Sequence, residues 1–96
     1  MSVSEVVTRE SVYRAIAIHD EMGREAFLAR YGYGPATRYL LVEDGKDYDS
    51  KAICGVAYTL NHPDGSGPPS FSGGVTTTNT AATVLENLGF RIVDKP

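Results

Sequence analysis

The chain has 96 residues and a mass of 10.3 kDa, with a formal net charge of −3 and a pI near 5.2. That is room for one domain and not two, and a hydrophobic fraction of 42% is too high for a disordered chain. The acidic balance argues against binding nucleic acid through the whole surface, and no apolar run reaches the ~20 residues of a membrane span.

Residues 1–7 carry no clear pattern and are expected to fray. Thr8 is an N-cap candidate, with Glu10 in the first turn where a negative charge suits the helix dipole. Val12, Ala15, Ile16 and His19 then recur at helical spacing until Gly23. A second helix is expected over Arg24 to Arg30, with Phe27 and Leu28 inward, and ends at Tyr31-Gly32-Tyr33-Gly34-Pro35. Arg38 to Val42 is β-prone, and Asp44-Gly45 before Lys46 to Tyr48 is a strong hairpin signal.

Ser50 can cap a third helix, in which Ile53, Val56, Ala57 and Leu60 form an amphipathic face. Asn61 to Ser70 is a loop by composition. Ala81, Val84, Leu85 and Leu88 mark a fourth helix closed by Gly89, and Phe90 to Val93 reads as a strand added to the hairpin. The expected class is α+β: one small domain over residues 1–96, with about four helices on a short antiparallel sheet. That sheet comprises a hairpin near 38–49 and a C-terminal strand near 90–93.

The residues offer little for catalysis. His19 lies on an apolar helix face, where a hydrogen-bonded core histidine is the simpler reading than a metal ligand. His62 sits among turn residues, and Cys54 adjoins Ile53 inside a helix, the place of a buried, inert thiol. No acid pair, oxyanion motif or phosphate loop stands out, so the reading is a module with no catalytic site, metal or cofactor. One cysteine makes no internal disulfide, and the N-terminus lacks the basic start and apolar stretch of a signal peptide. Both point to a reducing cytoplasm.

Three segments remain. A strand runs into a helix at Tyr48-Asp49-Ser50-Lys51-Ala52-Ile53, where free N–H groups, a hydroxyl and a cation suit an anion, or where a helix is simply capped. Arg30 to Tyr39 interleaves tyrosines with arginines, which suits stacking on bases, or pins a loop to the core. Phe71-Ser72-Gly73-Gly74 lets a backbone approach a phosphate, or makes a tight turn.

In order, Gly23-Arg24 with Phe27-Leu28, Tyr31-Gly32-Tyr33, Tyr39-Leu40, Gly45, YDSKAI with Gly55 and Ala57, FSGG, and Leu85 with Leu88-Gly89-Phe90 form a pattern. It resembles the N-terminal head domain of actinomycete McrA-like, modification-dependent (type IV) HNH restriction endonucleases. The likeness covers about Ser11 to Val93, and YDSKAI and FSGG at this spacing are its most specific parts.

The resemblance implies that other domains cut, that the chain is a piece of a longer multidomain protein, and that this piece reads DNA carrying 5-methylcytosine. No HNH motif is present, so cleavage is not assigned here. It implies phosphate contacts from Ser50 and Lys51 and a second phosphate held by Ser72 and Gly73. Arg24, Arg30, Arg38 and Lys46 widen the positive face, and Tyr31, Tyr33 and Tyr39 meet the modified base. Groove readout suits so small a domain better than base flipping. The partners implied are double-stranded methylated DNA and the other domains of the parent protein, with no membrane. The rival reading is an interaction or dimerisation module that positions those domains, and the acidic net charge favours it.

Overall fold

Thr8 starts the longest helix as its sequence requires. In the computed structural model, which describes residues 3–36, 38–62, 65, 67 and 80–94, its hydroxyl accepts from the Ser11 N–H at 3.1 Å. The Ser11 hydroxyl accepts from the Thr8 N–H at 2.9 Å, so a serine closes the capping box. Helix α2 (Arg9–Met22) then buries Val12, Ala15 and Ile16 and stops at Gly23, whose φ of 89° few other residues tolerate. Helix α3 (Arg24–Tyr31) follows at once and buries Phe27 and Leu28.

Strands β1 (Tyr39–Glu43) and β2 (Lys46–Asp49) form the expected hairpin. Asp44 and Gly45 both have positive φ, 53° and 73°, as the tight turn between them demands. Helix α4 (Ser50–Asn61) leaves β2 without a break and is buried continuously from Ala52 to Tyr58. It is the centre of the molecule, with α2, α3, the helix over Ala81–Asn87 and the sheet packed around it.

Helix α5 (Ala81–Asn87) turns back at Gly89, where the Phe90 N–H reaches the Leu85 carbonyl at 3.0 Å and the Gly89 N–H reaches Glu86 at 2.9 Å. Buried Phe90 and Leu85 are the apolar pair of this closure. Strand β3 (Arg91–Asp94) pairs antiparallel with β1, giving the order β2-β1-β3. Leu41, at the centre, faces Tyr48 on one side and Ile92 on the other and is wholly buried.

The class is the expected α+β, with one more helix than expected. Residues 3–7 do not stand apart as a fraying end: Val3–Val6 forms a short helix, α1, and Val3, Val6 and Val7 are buried in the core. The Asn61 side chain donates to the Val6 carbonyl at 2.7 Å, tying this turn to the far end of α4. The loop expected over 61–70 and the FSGG segment lie largely outside the described residues. No helix among the described residues is long and apolar enough to cross a membrane.

Candidate functional site

Two of the three segments singled out above meet at the N-terminal end of α4. The loop after α3 is fixed there at three points. Tyr33 lies across α4 where Gly55 has no side chain, and a methyl group on Gly55 would overlap the tyrosine hydroxyl. That explains a glycine in a helix interior, where alanine is otherwise preferred by about 0.5–1 kcal/mol. The Ala36 N–H donates to Asp49 at 2.7 Å, and the Ser50 hydroxyl donates to the Tyr39 carbonyl at 2.8 Å.

These pins leave an open cleft of about 190 Å³ lined by Gly34, Pro35, Ala36, Arg38, Tyr39, Asp49, Ser50 and Lys51. Lys51 stands exposed in the first turn of α4, where the helix dipole is positive. Arg38 forks onto Asp94 through Nε at 2.8 Å and Nη2 at 3.2 Å, and its guanidinium lies 5.0 Å from the Tyr39 ring centre. Hydrogen bonding to Arg38 holds the Asp94 carboxyl below the usual carboxylate range.

Asp49, not Ser50, is the residue that caps α4, and its carboxylate is spent elsewhere. It is 2% exposed, and Arg24 grips it with two bonds of 2.8 Å while Ala36 supplies a third. Burial opposes its ionisation, but the guanidinium and the N–H outweigh burial and hold the carboxyl below its ordinary value. Ser50, expected to meet a phosphate, lines the cleft but is buried like Asp49 before it, and its hydroxyl is engaged with the Tyr39 carbonyl.

The remaining candidates divide. Arg24 lies on the other side of Asp49, beside Leu40, Asp47 and Tyr48, and serves that aspartate. Tyr31 is half-buried and packs its ring on Phe27 at 5.3 Å, with the Arg30 guanidinium 5.6 Å from the tyrosine ring centre. Tyr33 is half-buried against α4. Both tyrosines are packed against the core and fasten the loop there. Lys46 is at the hairpin turn, 3.9 Å from Asp20. Arg38, Tyr39 and Lys51 share the cleft with Ser50. Ser72 and Gly73 lie outside the described residues.

His19 is largely buried between Phe27 and Tyr48, with ring centres 5.1 and 4.7 Å away. Neither ring nitrogen has a hydrogen-bond partner, which corrects the expectation of a hydrogen-bonded core histidine; Asp20 approaches Nδ1 at 3.4 Å. The Asp20 carboxylate instead accepts the Tyr48 hydroxyl at 2.9 Å. Cys54 is buried, and burial pushes its thiol up to about 12. Among the described residues, no three histidine, cysteine, aspartate or glutamate side chains gather as a metal site would require.

Compared with known proteins, residues 5–94 match the family described as ScoMcrA-like, N-terminal head domain. Among solved structures the chain is similar to ScoMcrA, a Type IV phosphorothioation-dependent restriction endonuclease, with a TM-score of 0.68 and 36% sequence identity. That match covers 95% of this chain and 13% of the ScoMcrA chain, so this chain corresponds to a small part of that protein's length. No curated protein matches the sequence.

Proposed function

The chain belongs to the ScoMcrA-like N-terminal head domain family, and from that premise we propose that it is a non-catalytic, DNA-engaging module of a modification-dependent restriction endonuclease. One observation carries the reading. Arg38, Tyr39 and Lys51 come from a loop, a strand and a helix start, and converge on one open cleft at the positive end of α4. A backbone phosphate seated there meets two cations and the helix dipole, and the Tyr39 ring lies beside Arg38, in reach of a sugar or base edge.

With Tyr31 and Tyr33 packed on the core, the cleft is better suited to a duplex backbone than to a flipped base, in line with groove readout. A preference for 5-methylcytosine belongs to this proposal. It stands beside the modification named for ScoMcrA, phosphorothioation, which alters the backbone and not a base.

Fluorescence anisotropy with matched duplexes at about 0.15 M salt tests it. The duplexes are unmodified, 5-methylcytosine on one or both strands, and phosphorothioate. The expected result is salt-sensitive binding that weakens in Arg38→Ala and Lys51→Ala, each removing about one unit of salt slope while the fold persists. Preference for a methylated or a phosphorothioate duplex identifies the modification. A second reading, an interaction module that positions neighbouring domains, is favoured by the net charge of −3 and by the carboxylates facing Arg24, Arg38 and Lys46. Absence of binding to every duplex, together with self-association in sedimentation, decides for it.

A further inference from the structure

Arg38 lines the cleft, yet its guanidinium already holds an anion. Asp94, at the end of β3, presents both carboxylate oxygens to Nε and Nη2 in a side-on fork. A phosphate with two free oxygens takes that same edge of an arginine. The pair spans the register position at which Tyr39 faces Asp94, so one residue of β1 and its neighbour meet the tail of β3. Both side chains are largely in water, 63% and 52% exposed.

We propose that Asp94 is an internal competitor for the phosphate at Arg38, and that the cleft engages DNA by exchanging this carboxylate for a backbone phosphate. This rests on the DNA reading given above and deepens it by naming the residue that sets the affinity. The exchange is easy on three counts. An exposed ion pair is screened and weakly held. Arg38 stays in place over Tyr39 while its anion changes, so no segment of the fold has to move. The incoming phosphate also releases condensed counterions, a gain the carboxylate does not offer.

The exchange has a cost to the ligand. The displaced carboxylate remains beside the cleft and repels the backbone, so a duplex that touches Arg38 alone is held weakly. Only a ligand that also engages other groups around the cleft is retained. Asp94 therefore suppresses indiscriminate binding in the way that a like charge disfavours the wrong partner.

A double-mutant cycle in the 96-residue chain tests the exchange, with an unmodified duplex as the probe and anisotropy as the readout. Asp94→Asn is expected to tighten binding about three- to tenfold in the presence of Arg38, and to change it by less than about twofold in the Arg38→Ala background. An equal gain in both backgrounds overturns the proposal, because Asp94 would then act through net charge alone. Circular dichroism on each variant excludes misfolding as the cause. The Arg38 Nε–H resonance gives a reading without DNA: Asp94→Asn must shift it, and an unmoved resonance overturns the fork itself. Duplex binding that is indifferent to Asp94 overturns the exchange and leaves the DNA reading standing. Binding by no variant overturns both.

Discussion

Among the described residues, two arginine–aspartate forks share nearly one geometry in opposite settings. Arg24 holds Asp49 at 2.8 and 2.8 Å, and Arg38 holds Asp94 at 2.8 and 3.2 Å. Asp49 is 2% exposed and also receives the Ala36 N–H, so its charge has little access to water and depends on those partners. Asp94 is half in water and loses little if its arginine leaves. Identical chemistry is thus architecture at one place and an exchangeable surface contact at the other. Burial of the acceptor, not bond length, separates them.

The sharpest way to break this comparison is to remove each arginine. Arg24→Ala leaves a buried carboxylate with one N–H, and is expected to cost about 2–4 kcal/mol. That range sits at or below the usual one for a broken buried pair because Arg24 is itself half exposed and screened. In a domain of this size it is a fall in Tm of roughly 10–25 °C. Arg38→Ala is expected to leave Tm almost where it was. Equal losses in urea denaturation would erase the distinction between the two forks.

Next in size is Gly55→Ala, which pushes Tyr33 off α4 and is expected to cost about 1–3 kcal/mol by overpacking. Shrinking the obstructing ring in Gly55→Ala/Tyr33→Ala should make that glycine substitution much less costly than it is alone. If it does not, the loop is not held by this contact.

Acid sharpens the contrast further. Asp49 titrates below its unfolded value, so the stability it contributes is complete above about pH 4 and is lost as pH falls through the lower native value. Thermal melts should show this acid limb in the parent chain, and a shallower one in Asp49→Asn.

The smallest effect lies at the alkaline end. Burial first, and then the bond to Asp20, push Tyr48 up to about 12, so its contribution holds below pH 10 and fades as pH rises towards 12. Absorbance at 295 nm should show a late tyrosine ionisation as pH approaches 12, and Tyr48→Phe should remove that step.

Much of the fold was legible because its signals are local. The Thr8 cap, the apolar period of α2 and α4, the Asp44-Gly45 turn and the closure at Gly89 each reside within about eight residues. Helix α1 was not, because four residues are too few to show a period, and Asn61, which anchors it, lies 55 residues away. In the site, the meeting of Arg38, Tyr39 and Lys51 was within reach of the motifs that hold them. The roles of Asp49 and Asp94 were hidden, since their arginines lie 25 and 56 residues away and opposite charges carry no periodic mark. The burial of Ser50 was hidden for a different reason: Tyr48, Asp49 and Ser50 are buried in succession, so no alternation marks the strand–helix junction.

The strand order has a consequence in time. β1 lies between a neighbour two residues away and one that begins at Arg91, so half of its hydrogen bonding waits for a late segment. Closing so long a loop slows folding, and on the ribosome the sheet stays two-stranded until Arg91–Asp94 has emerged. The carboxylate that quiets Arg38 arrives with that last strand. A nascent chain therefore displays the Arg38 guanidinium before its carboxylate partner has emerged and pairs the two only as the sheet is completed.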